Sequence, residues 1–370
     1  MRIGIDARIV HYTQAGIAQY ILRLIQGLAE VDRENEFVLL QSRKDKHRLV
    51  DRPNFKRALL WTPSHHRLEQ WTLWVEVSGL DLDLLHSPDF IPPFHRNCKS
   101  VITIHDLAFL LYPNFLTKES ARYYGQIDQA VKRTDHIIAV SESTKRDAVR
   151  LLGVPERKIT VIYESANPIY RPINDHRVLE GVKNKYGISG DFILFVGTIE
   201  PRKNLPGLLR AYRRLLDDYK LRVKLVLVGR RGWLCEEVFA LVEKLRLEDE
   251  VFFLGRVPLE DLLHLYNAAR LLVHPSFYEG FGLPPLEAMA CGTPVVASNT
   301  SSLPEVVGDA GLLVDPHDTS ALTVAIWRAL TDENLRADMI AKGFKRAQCF
   351  SWEKMARETL ELYRRVVEGG

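Results

Sequence analysis

Cysteine is scarce in this chain, and long apolar runs are missing from it. The 370 residues include four cysteines, and no two of them form a C-x-x-C pair. Zinc sites and disulfide frameworks need such pairs or denser cysteines, so neither is indicated and a reducing, cytoplasmic compartment is predicted. No stretch of about 18 apolar residues occurs, so we expect a chain that is neither exported nor membrane-spanning.

A surplus of one charge is also lacking. Lys and Arg number 50 against 47 for Asp and Glu, a formal net charge of +3. So small a surplus argues against nucleic acid as a partner. Hydrophobic residues make up 46% of the chain and charged residues 26%, the balance of a globular enzyme. Because single cores stop growing near roughly 250–300 residues, we expect two domains.

Two common nucleotide-binding motifs are absent. No G-x-G-x-x-G opens a helix, which argues against a dinucleotide-dependent oxidoreductase, and no G-x-x-x-x-G-K-[ST] loop suggests a kinase. Asp81 and Asp83 form a D-x-D sequence, but they precede an apolar run instead of closing a strand over a cleft. We therefore predict neither a metal site nor a cofactor.

Short β-rich runs alternate with segments of helical periodicity from end to end. This pattern predicts an α/β fold of parallel strands with helices on both faces. Prolines and polar residues interrupt it at 167–175, as a linker would. We predict a doubly wound, Rossmann-like domain over 1–166, a second over 176–350 and a terminal helix within 351–370. Two such domains facing across a cleft would place the ligand site between them.

The individual strands are predicted from short runs rich in apolar and β-branched residues. Those of the first half span 2–6, 36–41, 100–105, 136–140 and 158–163, with a helix over 17–30. Those of the second half span 192–196, 223–228, 251–254, 271–274 and 294–297.

The strand predicted over 192–196 leads into Gly197-Thr-Ile-Glu-Pro-Arg-Lys-Asn204, and a helical run begins near Leu205. A glycine at a strand end lets a ligand approach the backbone. Arg202 and Lys203 place two cations at a helix N-terminus, where the helix dipole also favours anions. The segment therefore indicates a diphosphate site. The alternative is a solvated turn with two surface cations.

A glycine-rich loop also follows the strand predicted over 271–274. Its two glycines clear side chains from a backbone whose amides can point at an anion, and the two prolines after them suit a first helical turn. Glu279 precedes this helix and Glu287 lies inside it, so two carboxylates flank one loop. The alternative for Glu287 is an acid that only stabilises the helix N-terminus.

Together, Glu279-Gly-Phe-Gly-Leu-Pro-Pro-Leu-Glu287-Ala-Met-Ala-Cys-Gly-Thr-Pro and Gly-Thr-Ile-Glu-Pro-Arg-Lys-Asn resemble family four of the retaining glycosyltransferases. Members of this family have the GT-B fold. The likeness extends over nearly the whole chain and is strongest from 192 to 318. The subgroup it most resembles is the bacterial mannosyltransferase-like enzymes that build O-antigen, capsular and exopolysaccharide chains. The resemblance also implies that the terminal helix crosses back to the first domain.

The resemblance assigns roles to single residues. Arg202 and Lys203 would bind the donor diphosphate, Glu287 the ribose hydroxyls and Glu279 the transferred sugar. Many members carry an Arg directly after the strand-ending glycine, where this chain has Thr198, so Arg202 and Lys203 would have to supply both charges. Backbone would contact the sugar, phosphate and base at Phe281, Gly282, Leu283, Arg256, Val257 and Pro258.

The first half carries weaker signals. Gly16 lies between the first strand and helix, where backbone amides can approach a phosphate, although relatives often have two glycines and Ala15 replaces one. His105 follows a predicted strand, and the resemblance places a donor-sugar-contacting histidine there; the alternative is a structural histidine. His86 and Ser141, each expected just after a strand, would line an acceptor groove, with helix capping the equal alternative for Ser141.

These residues predict transfer of a hexose from a nucleoside-diphosphate sugar, GDP-mannose or UDP-glucose, to a hydroxyl of a glycan or lipid-linked glycan. The resemblance implies a front-face route that retains the anomeric configuration, in which the departing phosphate takes the acceptor proton. Arg202 and Lys203 would replace a metal ion. Two alternatives stay open: a nucleotide-sugar epimerase with the same donor site, and a non-catalytic nucleotide-sugar binding subunit.

Peripheral docking on the inner face of the membrane is a further prediction, because polysaccharide-building relatives use lipid-linked acceptors. The alternative is packing for the tryptophans, in the core or between domains, and solvation for the charged side chains. The candidate residues are Arg57, Trp61, His65, His66, Arg67, Trp71 and Trp74.

Overall fold

The computed structural model describes residues 1–12, 16–112 and 123–369. The chain divides into two compact units. Unit 1 comprises Met1–Glu164 together with Ser351–Gly370, and unit 2 comprises Ser165–Phe350. Across the described ranges, every helix is too short or too polar to cross a bilayer.

Unit 1 is built on seven parallel strands: β1 (Arg2–Asp6), β2 (Glu36–Ser42), β3 (Phe55–Leu60), β4 (Leu84–Ser87), β5 (Lys99–Ile104), β6 (His136–Ala139) and β7 (Ile159–Val161). They pair in the order β3-β2-β1-β4-β5-β6-β7. The described helices up to residue 164 are α1 (Gly16–Val31), α2 (Glu69–Ser78), α3 (Ala108–Leu111), α4 (Ile127–Arg133) and α5 (Glu142–Leu152).

Unit 2 has six parallel strands: β8 (Phe192–Val196), β9 (Lys224–Val228), β10 (Val251–Gly255), β11 (Leu271–His274), β12 (Val295–Ser298) and β13 (Leu312–Val314). Their order is β10-β9-β8-β11-β12-β13. The helices are α6 (His176–Lys185), α7 (Leu205–Asp218), α8 (Glu236–Lys244), α9 (Leu259–Ala268), α10 (Leu283–Cys291), α11 (Leu303–Val307), α12 (Thr319–Thr331) and α13 (Glu333–Gln348).

The last helix, α14 (Trp352–Glu368), belongs to unit 1 and packs against α1. Ser351 caps it by accepting a hydrogen bond from the Lys354 N–H at 3.1 Å. Met355, Leu360 and Tyr363 are buried in the unit 1 core. Their spacing places them on one side of a helix, so the apolar stripe itself dictates this packing.

The strands read as continuous apolar runs because helices cover both faces of each sheet. In β8, for instance, the four residues from Phe192 to Phe195 are all fully buried. Helix α7 packs Leu208 and Tyr212 into the same core. At roughly 1.5–3 kcal/mol for each large apolar side chain, such burial is the main stabilising contribution to unit 2.

All ten predicted strands are confirmed to within two residues at each end. β3, β4 and β13 were missed, and of these β3 is an edge strand with a mixed burial pattern. The prediction for His86 is wrong. It lies within β4 and is fully buried, with Nδ1 2.6 Å from the Tyr363 hydroxyl and Nε2 2.8 Å from that of Thr103. Ser141 caps α5, accepting from the Thr144 N–H at 3.0 Å.

Both sheets have one topological switch point. In unit 1 the chain builds outward from β1 to β3 and then returns to place β4 on the other side of β1. Unit 2 repeats this arrangement, with β8 and β11 on either side of the reversal. The loops that leave the carboxyl ends of such strand pairs diverge, and open α/β sheets bind their ligands in the resulting crevice.

Candidate functional site

The two glycine-rich segments leave β8 and β11 at the switch point of unit 2. The first forms a short 3-10 turn over Pro201–Lys203 before α7 begins. Asn204 joins the turn to α7, with a φ of 53° and a side chain that accepts from the Gly207 N–H at 3.2 Å. The Phe277 N–H donates to the Arg202 carbonyl at 2.9 Å, so a backbone hydrogen bond ties the two segments together.

Arg202, Lys203 and Glu279 meet at this edge and form a compact ionic cluster. Lys203 Nζ donates to Glu279 Oε1 at 2.5 Å, and Arg202 Nη1 donates to Glu279 Oε2 at 3.1 Å. Arg202 is also held by Glu200, at 3.1 Å, and by the Tyr278 carbonyl, at 3.0 Å. Lys203 and Glu279 are only 8% and 7% exposed, so these groups do not form a solvated surface turn.

The electrostatics of the cluster favour an ionised Glu279. Burial by itself would raise the pKa of Glu279, but the charges of Lys203 and Arg202 lower that pKa well below its usual range. Burial lowers the pKa of Lys203, and the Glu279 charge acts in the opposite direction. A second anion at this edge would compete with Glu279 for the two cations.

His274 is a site residue that the sequence analysis missed. It ends β11, is fully buried, and its Nε2 lies 2.8 Å from Glu279 Oε1. Burial lowers the pKa of His274, so its neutral ring donates through Nε2–H to the carboxylate. Phe195 stacks on this ring, with centroids 5.8 Å apart. The only available signal in the sequence was its place five residues before Glu279 at a strand end.

Serines after β12 hold the loop between β11 and α10. Ser301 Oγ accepts from the Glu279 N–H at 2.9 Å, and the Ser302 hydroxyl lies 3.0 Å from the Glu279 carbonyl and 2.6 Å from the Phe281 carbonyl. Phe281 itself is buried and packs edge-on against Phe350. The sequence analysis missed both serines, because nothing in a sequence shows which loop packs beside which.

Gly282 caps α10 with a φ of 113°, a conformation that L side chains rarely adopt. A Cβ at this position would also lie 2.8 Å from Leu303. Pro284 and Pro285, the second and third residues of α10, have no N–H, so Gly282 and Leu283 supply the backbone N–H groups at this helix start. The contact of this backbone with sugar and phosphate, which the resemblance implies, stays a prediction.

Glu287 is held by a partner of its own, apart from the ionic cluster. It lies within α10, and its Oε2 accepts from the Tyr266 hydroxyl at 2.7 Å. Tyr266 is fully buried and packs edge-on against Tyr170. Burial raises the pKa of Tyr266 well above its usual value, so the phenol stays a donor. Tyr266 is the second orienting residue that the sequence analysis missed.

The other predicted donor contacts in unit 2 lie at neighbouring strand ends. Gly197 follows β8, and β9 ends so close to it that a Cβ on Gly229 would lie 1.9 Å from the Gly197 carbonyl oxygen. Arg256 and Val257 follow β10, the edge strand two positions away from β8 in the sheet. The structure therefore brings Arg202, Lys203 and Glu279 into contact and leaves Arg256 and Val257 farther along the same edge.

The two predicted residues of unit 1 have separate surroundings. Gly16 is the exposed first residue of α1, while Ala15 lies outside the described residues. His105 follows β5, with Nδ1 2.8 Å from Glu164 Oε1 and Nε2 2.9 Å from the Pro88 carbonyl. Burial would lower the pKa of His105, but the hydrogen bond to Glu164 and the charge of that carboxylate raise it overall. Both ring nitrogens already have acceptors, and its role in sugar contact stays a prediction.

The D-x-D residues lie at the amino end of β4, away from the switch point. Asp83 accepts from the Arg2 N–H at 2.6 Å. Within the described ranges, no group of three or more His, Cys, Asp or Glu side chains is arranged to hold a metal ion. At the ionic cluster, the carboxylates of Glu279 and Glu200 are already paired with the two cations, a setting that suits an anionic ligand better than a metal.

Unit 1 has an exposed apolar patch, formed by Leu59, Trp61, Leu68, Trp71 and Val75, which are between 49% and 69% exposed. The alternative that these tryptophans pack in the core or between domains is therefore wrong for Trp61 and Trp71. Trp74 is half-buried. The Arg43 guanidinium lies 3.3 Å over the Trp61 ring. Of the other docking candidates, His66 and Arg67 are exposed, Arg57 donates to the Asp45 carbonyl, and His65 is engaged with Asp89.

Two family models and several curated proteins match this chain. The model described as Glycosyltransferase Family 4 matches residues 15–168, and the model described as Glycosyl transferases group 1 matches residues 182–346. O-antigen chain mannosyltransferase B from Escherichia coli is 36% identical over 386 aligned residues, covering 98% of this chain and 100% of that protein. Serotype-specific mannosyltransferase WbdA, also from Escherichia coli, is 32% identical over 75% of this chain and 35% of its own length.

Solved structures resemble the whole chain in fold. Sucrose-phosphate synthase from Thermosynechococcus elongatus superposes with a TM-score of 0.80 at 23% identity, covering 100% of both chains. The Anabaena protein HepE, in complex with UDP and glucose, has a TM-score of 0.75 at 19% identity, covering 98% of this chain and 99% of its own. At these identities the likeness concerns the fold.

Proposed function

This chain belongs to glycosyltransferase family 4 and has the GT-B fold, and we propose that it transfers a hexose from a nucleoside-diphosphate sugar to a hydroxyl of a glycan. The glycan, free or lipid-linked, would be part of a polysaccharide under synthesis. The observation that carries the proposal is the ionic cluster of Arg202, Lys203 and Glu279 at the switch point of unit 2. Two cations there suit a diphosphate, and the carboxylate suits sugar hydroxyls.

The reaction needs charge stabilisation more than it needs a new covalent intermediate. The bond between the anomeric carbon and the diphosphate oxygen breaks, and a bond to the acceptor oxygen forms on the same face of the sugar. The acceptor proton passes to the departing diphosphate. A cation about 4 Å from the developing charge contributes on the order of 4 kcal/mol at an effective dielectric near 20, roughly a thousandfold in rate if realised only in the transition state.

The surroundings of Glu279 support this front-face route over a double displacement. A carboxylate nucleophile needs an oxygen that can reach the anomeric carbon, whereas Oε1 of Glu279 is shared by Lys203 and His274 and Oε2 is bound to Arg202. Such a carboxylate can accept hydrogen bonds from sugar hydroxyls when the cations turn to the diphosphate. It is poorly placed to attack carbon.

The proposed donor is GDP-mannose, with UDP-glucose as the alternative, and no cofactor. The mannosyltransferase relative from Escherichia coli favours mannose. Since Arg202 and Lys203 supply the positive charge, we expect full activity after exhaustive EDTA treatment. Loss of activity that magnesium or manganese restores would contradict this part of the proposal.

A thermal-shift series with GDP, UDP and ADP tests the donor site directly. A ligand at 100 times its dissociation constant stabilises the folded state by roughly 2.7 kcal/mol, so the correct nucleotide raises the melting temperature most. Product analysis with the matching nucleotide sugar, with and without acceptor, then separates the functions. A glycoside product supports the transferase, an altered sugar on the nucleotide indicates an epimerase, and no turnover indicates a binding subunit.

We also propose that the exposed apolar patch contacts an anionic bilayer. Leu68, Trp71 and Val75 lie on one face of the α2 segment, and Trp61 joins them because its N–H donates to Glu76 of α2 at 2.6 Å. Residues 43–79 contain eight Lys and Arg against four Asp and Glu, a surplus larger than that of the whole chain. Aromatic and basic side chains together favour an interfacial position on anionic lipid.

Cosedimentation with vesicles of phosphatidylglycerol and phosphatidylcholine tests this contact. Binding should fall at high salt, because the basic part of the attraction is screened. The double change Trp61→Ser and Trp71→Ser should weaken binding, whereas Trp233→Ser, at a 43% exposed tryptophan of unit 2, should not. Equal effects of both changes, or no binding at low salt, would contradict the proposal.

A further inference from the structure

A cavity of about 600 Å³ in unit 1 is lined by residues of β2, of β3 and of the chain that connects these strands. Parallel strands are usually joined by a helix that covers one face of the sheet. Residues 43–54 make this connection without a helix, and Leu49 and Val50 are only partly buried where they pack on the core. The space left beside the sheet, the β2–β3 cavity, has a volume in the range of small-molecule binding sites.

The lining of the β2–β3 cavity is basic. It contains one carboxylate, Asp51, and four cations, Arg48, Arg52, Lys56 and Arg57. The Asp51 side chain is 94% exposed, and its Oδ1 is 3.7 Å from Arg48 Nη1, so it neutralises little of this charge. The surplus of three positive charges equals the formal net charge of the whole chain. Cations that are concentrated in one concave region attract an anion.

Arg57 is the cation that the sheet itself holds in place. It is half-buried in β3, opposite Leu39 of β2. Its Nη2 donates to the Asp45 carbonyl in the connection. Its Nε is buried, and none of the residues that the structure describes accepts a hydrogen bond from it. A buried donor without an acceptor is unfavourable, so an anion bound here would form a charge-assisted hydrogen bond and remove that cost.

Gln41 adds a neutral acceptor to the same wall. It is 1% exposed, and since side chains alternate along a strand it shares a face with Leu39. Its Nε2 donates to Asp45 Oδ2 at 2.7 Å and to the His47 carbonyl at 3.0 Å. Both partners are acceptors, which fixes the orientation of the amide and leaves Oε1 without a donor among the described residues. A hydroxyl is a neutral group that would donate to it.

We propose that the β2–β3 cavity binds a phosphorylated polyol. Arg57 binds the phosphate, and the exposed Arg48 and Arg52 add positive charge. A hydroxyl of the ligand donates to Gln41 Oε1, and its carbon atoms pack against Leu39 in the lining. Two sources share this chemistry: a free polyol phosphate and the headgroup of phosphatidylglycerol. No residue of this cavity belongs to the ionic cluster or to the exposed apolar patch, so the inference goes beyond the proposed function.

Titration calorimetry with glycerol 3-phosphate, propyl phosphate and inorganic phosphate tests the ligand class. Wild type should bind glycerol 3-phosphate most tightly. Propyl phosphate lacks the hydroxyls and should bind roughly two- to tenfold more weakly, the worth of a neutral hydrogen bond. Inorganic phosphate also lacks the carbon chain, so it should bind more weakly still. Measurable affinity for either of the other two probes that equals or exceeds the affinity for glycerol 3-phosphate would overturn the assignment to a polyol.

Two variants test the position of the phosphate. Arg57→Gln should weaken the binding of glycerol 3-phosphate roughly ten- to a hundredfold, because a hydrogen bond between charged groups is lost. Arg52→Gln should weaken it less, since Arg52 is exposed, and this change leaves the contact of Arg57 with Asp45 intact. The matched control is Arg157→Gln, at an exposed arginine of unit 1 outside the cavity. Unchanged affinity in both cavity variants would overturn the proposal.

Vesicles distinguish the two sources of the ligand. Phosphatidylglycerol and phosphatidylserine carry the same net charge, but only the first has a polyol headgroup, so the exposed apolar patch should bind both alike. Binding of free glycerol 3-phosphate assigns the soluble source. Without it, an excess of cosedimentation with phosphatidylglycerol that Arg57→Gln and Arg52→Gln abolish assigns the lipid. If neither is observed, the inference is overturned. All variants should keep the nucleotide thermal shift, and a wild-type protein without that shift contradicts only the proposed donor site.

Discussion

The two sheets share one topology, yet they hold charge differently at their switch points. In unit 2, Arg202 keeps an 18% exposed side chain, binds Glu200, and shares Glu279 with Lys203. In unit 1, Arg8 is 1% exposed and has two carboxylates of its own, Asp6 and Glu69. An anion can reach the partly exposed Arg202, whereas Arg8 is closed off by the protein. The fold thus places a site, and the loop residues decide which ligand it takes.

The largest expected effect is on the free energy of unfolding, and it should differ between variants of Arg8 in unit 1 and of Lys203 in unit 2. Arg8→Met leaves the buried Glu69 and the partly buried Asp6 without their cation and should lower the free energy of unfolding by about 3–5 kcal/mol. Lys203→Met should cost less, because Arg202 and His274 still bind Glu279. Urea denaturation measures both. An equal cost for the two changes would remove the distinction, and Glu279→Gln added to Lys203→Met should recover part of the loss.

The second prediction concerns affinity. Arg202→Gln should weaken binding of the preferred nucleoside diphosphate roughly ten- to a hundredfold, because a hydrogen bond to a charged group contributes about 1.5–3 kcal/mol. Adding Lys203→Gln should weaken it further. Arg214→Gln is the control, since Arg214 lies on the exposed face of α7 beside Asp218. Titration calorimetry would contradict the donor site if the folded double variant kept wild-type affinity.

A third prediction uses pH. Burial lowers the pKa of His86 in unit 1 to about 3. The unfolded chain takes up a proton there below about pH 6.5 and the folded chain does not, so stability falls as the pH drops through that window. Between pH 6.5 and 5 the loss is about 2 kcal/mol from His86 alone.

The variant His86→Gln should show a correspondingly flatter pH dependence in urea denaturation at the two pH values. His65 and His105 do not interfere, because the pKa of each is raised in the folded state. Their contribution to the free energy of unfolding is therefore full below pH 6.5, and it is lost only as the pH rises through the folded-state pKa. An unchanged slope in His86→Gln would show that other groups cause the acid sensitivity.

The smallest effects compare two helix caps. Ser141→Ala in unit 1 removes the cap of α5 and should cost about 1 kcal/mol. Asn204→Gly keeps the left-handed φ but removes the cap of α7 and the hydrogen bond to the Pro316 carbonyl, at a similar cost. Only the second change should also weaken nucleotide binding, because Asn204 follows Lys203 directly. Equal nucleotide affinities would mean that the cap does not position the cations.

Much of the site in unit 2 was predictable because its residues lie in two short motifs beside strongly apolar strands. β8 and β11 occur where their apolar runs predict them, so the loops that follow were placed correctly at strand ends. The partners His274, Tyr266, Ser301 and Ser302 were not predictable. Each acts through contacts that the fold creates with residues of another segment, and such residue types are common throughout any sequence.

The amino-acid sequence alone determined the alternation of strands and helices, the position of each motif along the chain and the amphipathic helix at the C-terminus. Strands buried on both faces appear as apolar runs, and a helix buried on one stripe shows apolar residues at helical spacing. Only the tertiary structure decided which charges meet. Lys203 and Glu279 are 76 residues apart, and Arg8 and Glu69 are 61 apart. The strand order brings each pair together, and the extent of burial then determines whether a cation is open to a ligand or closed by the protein.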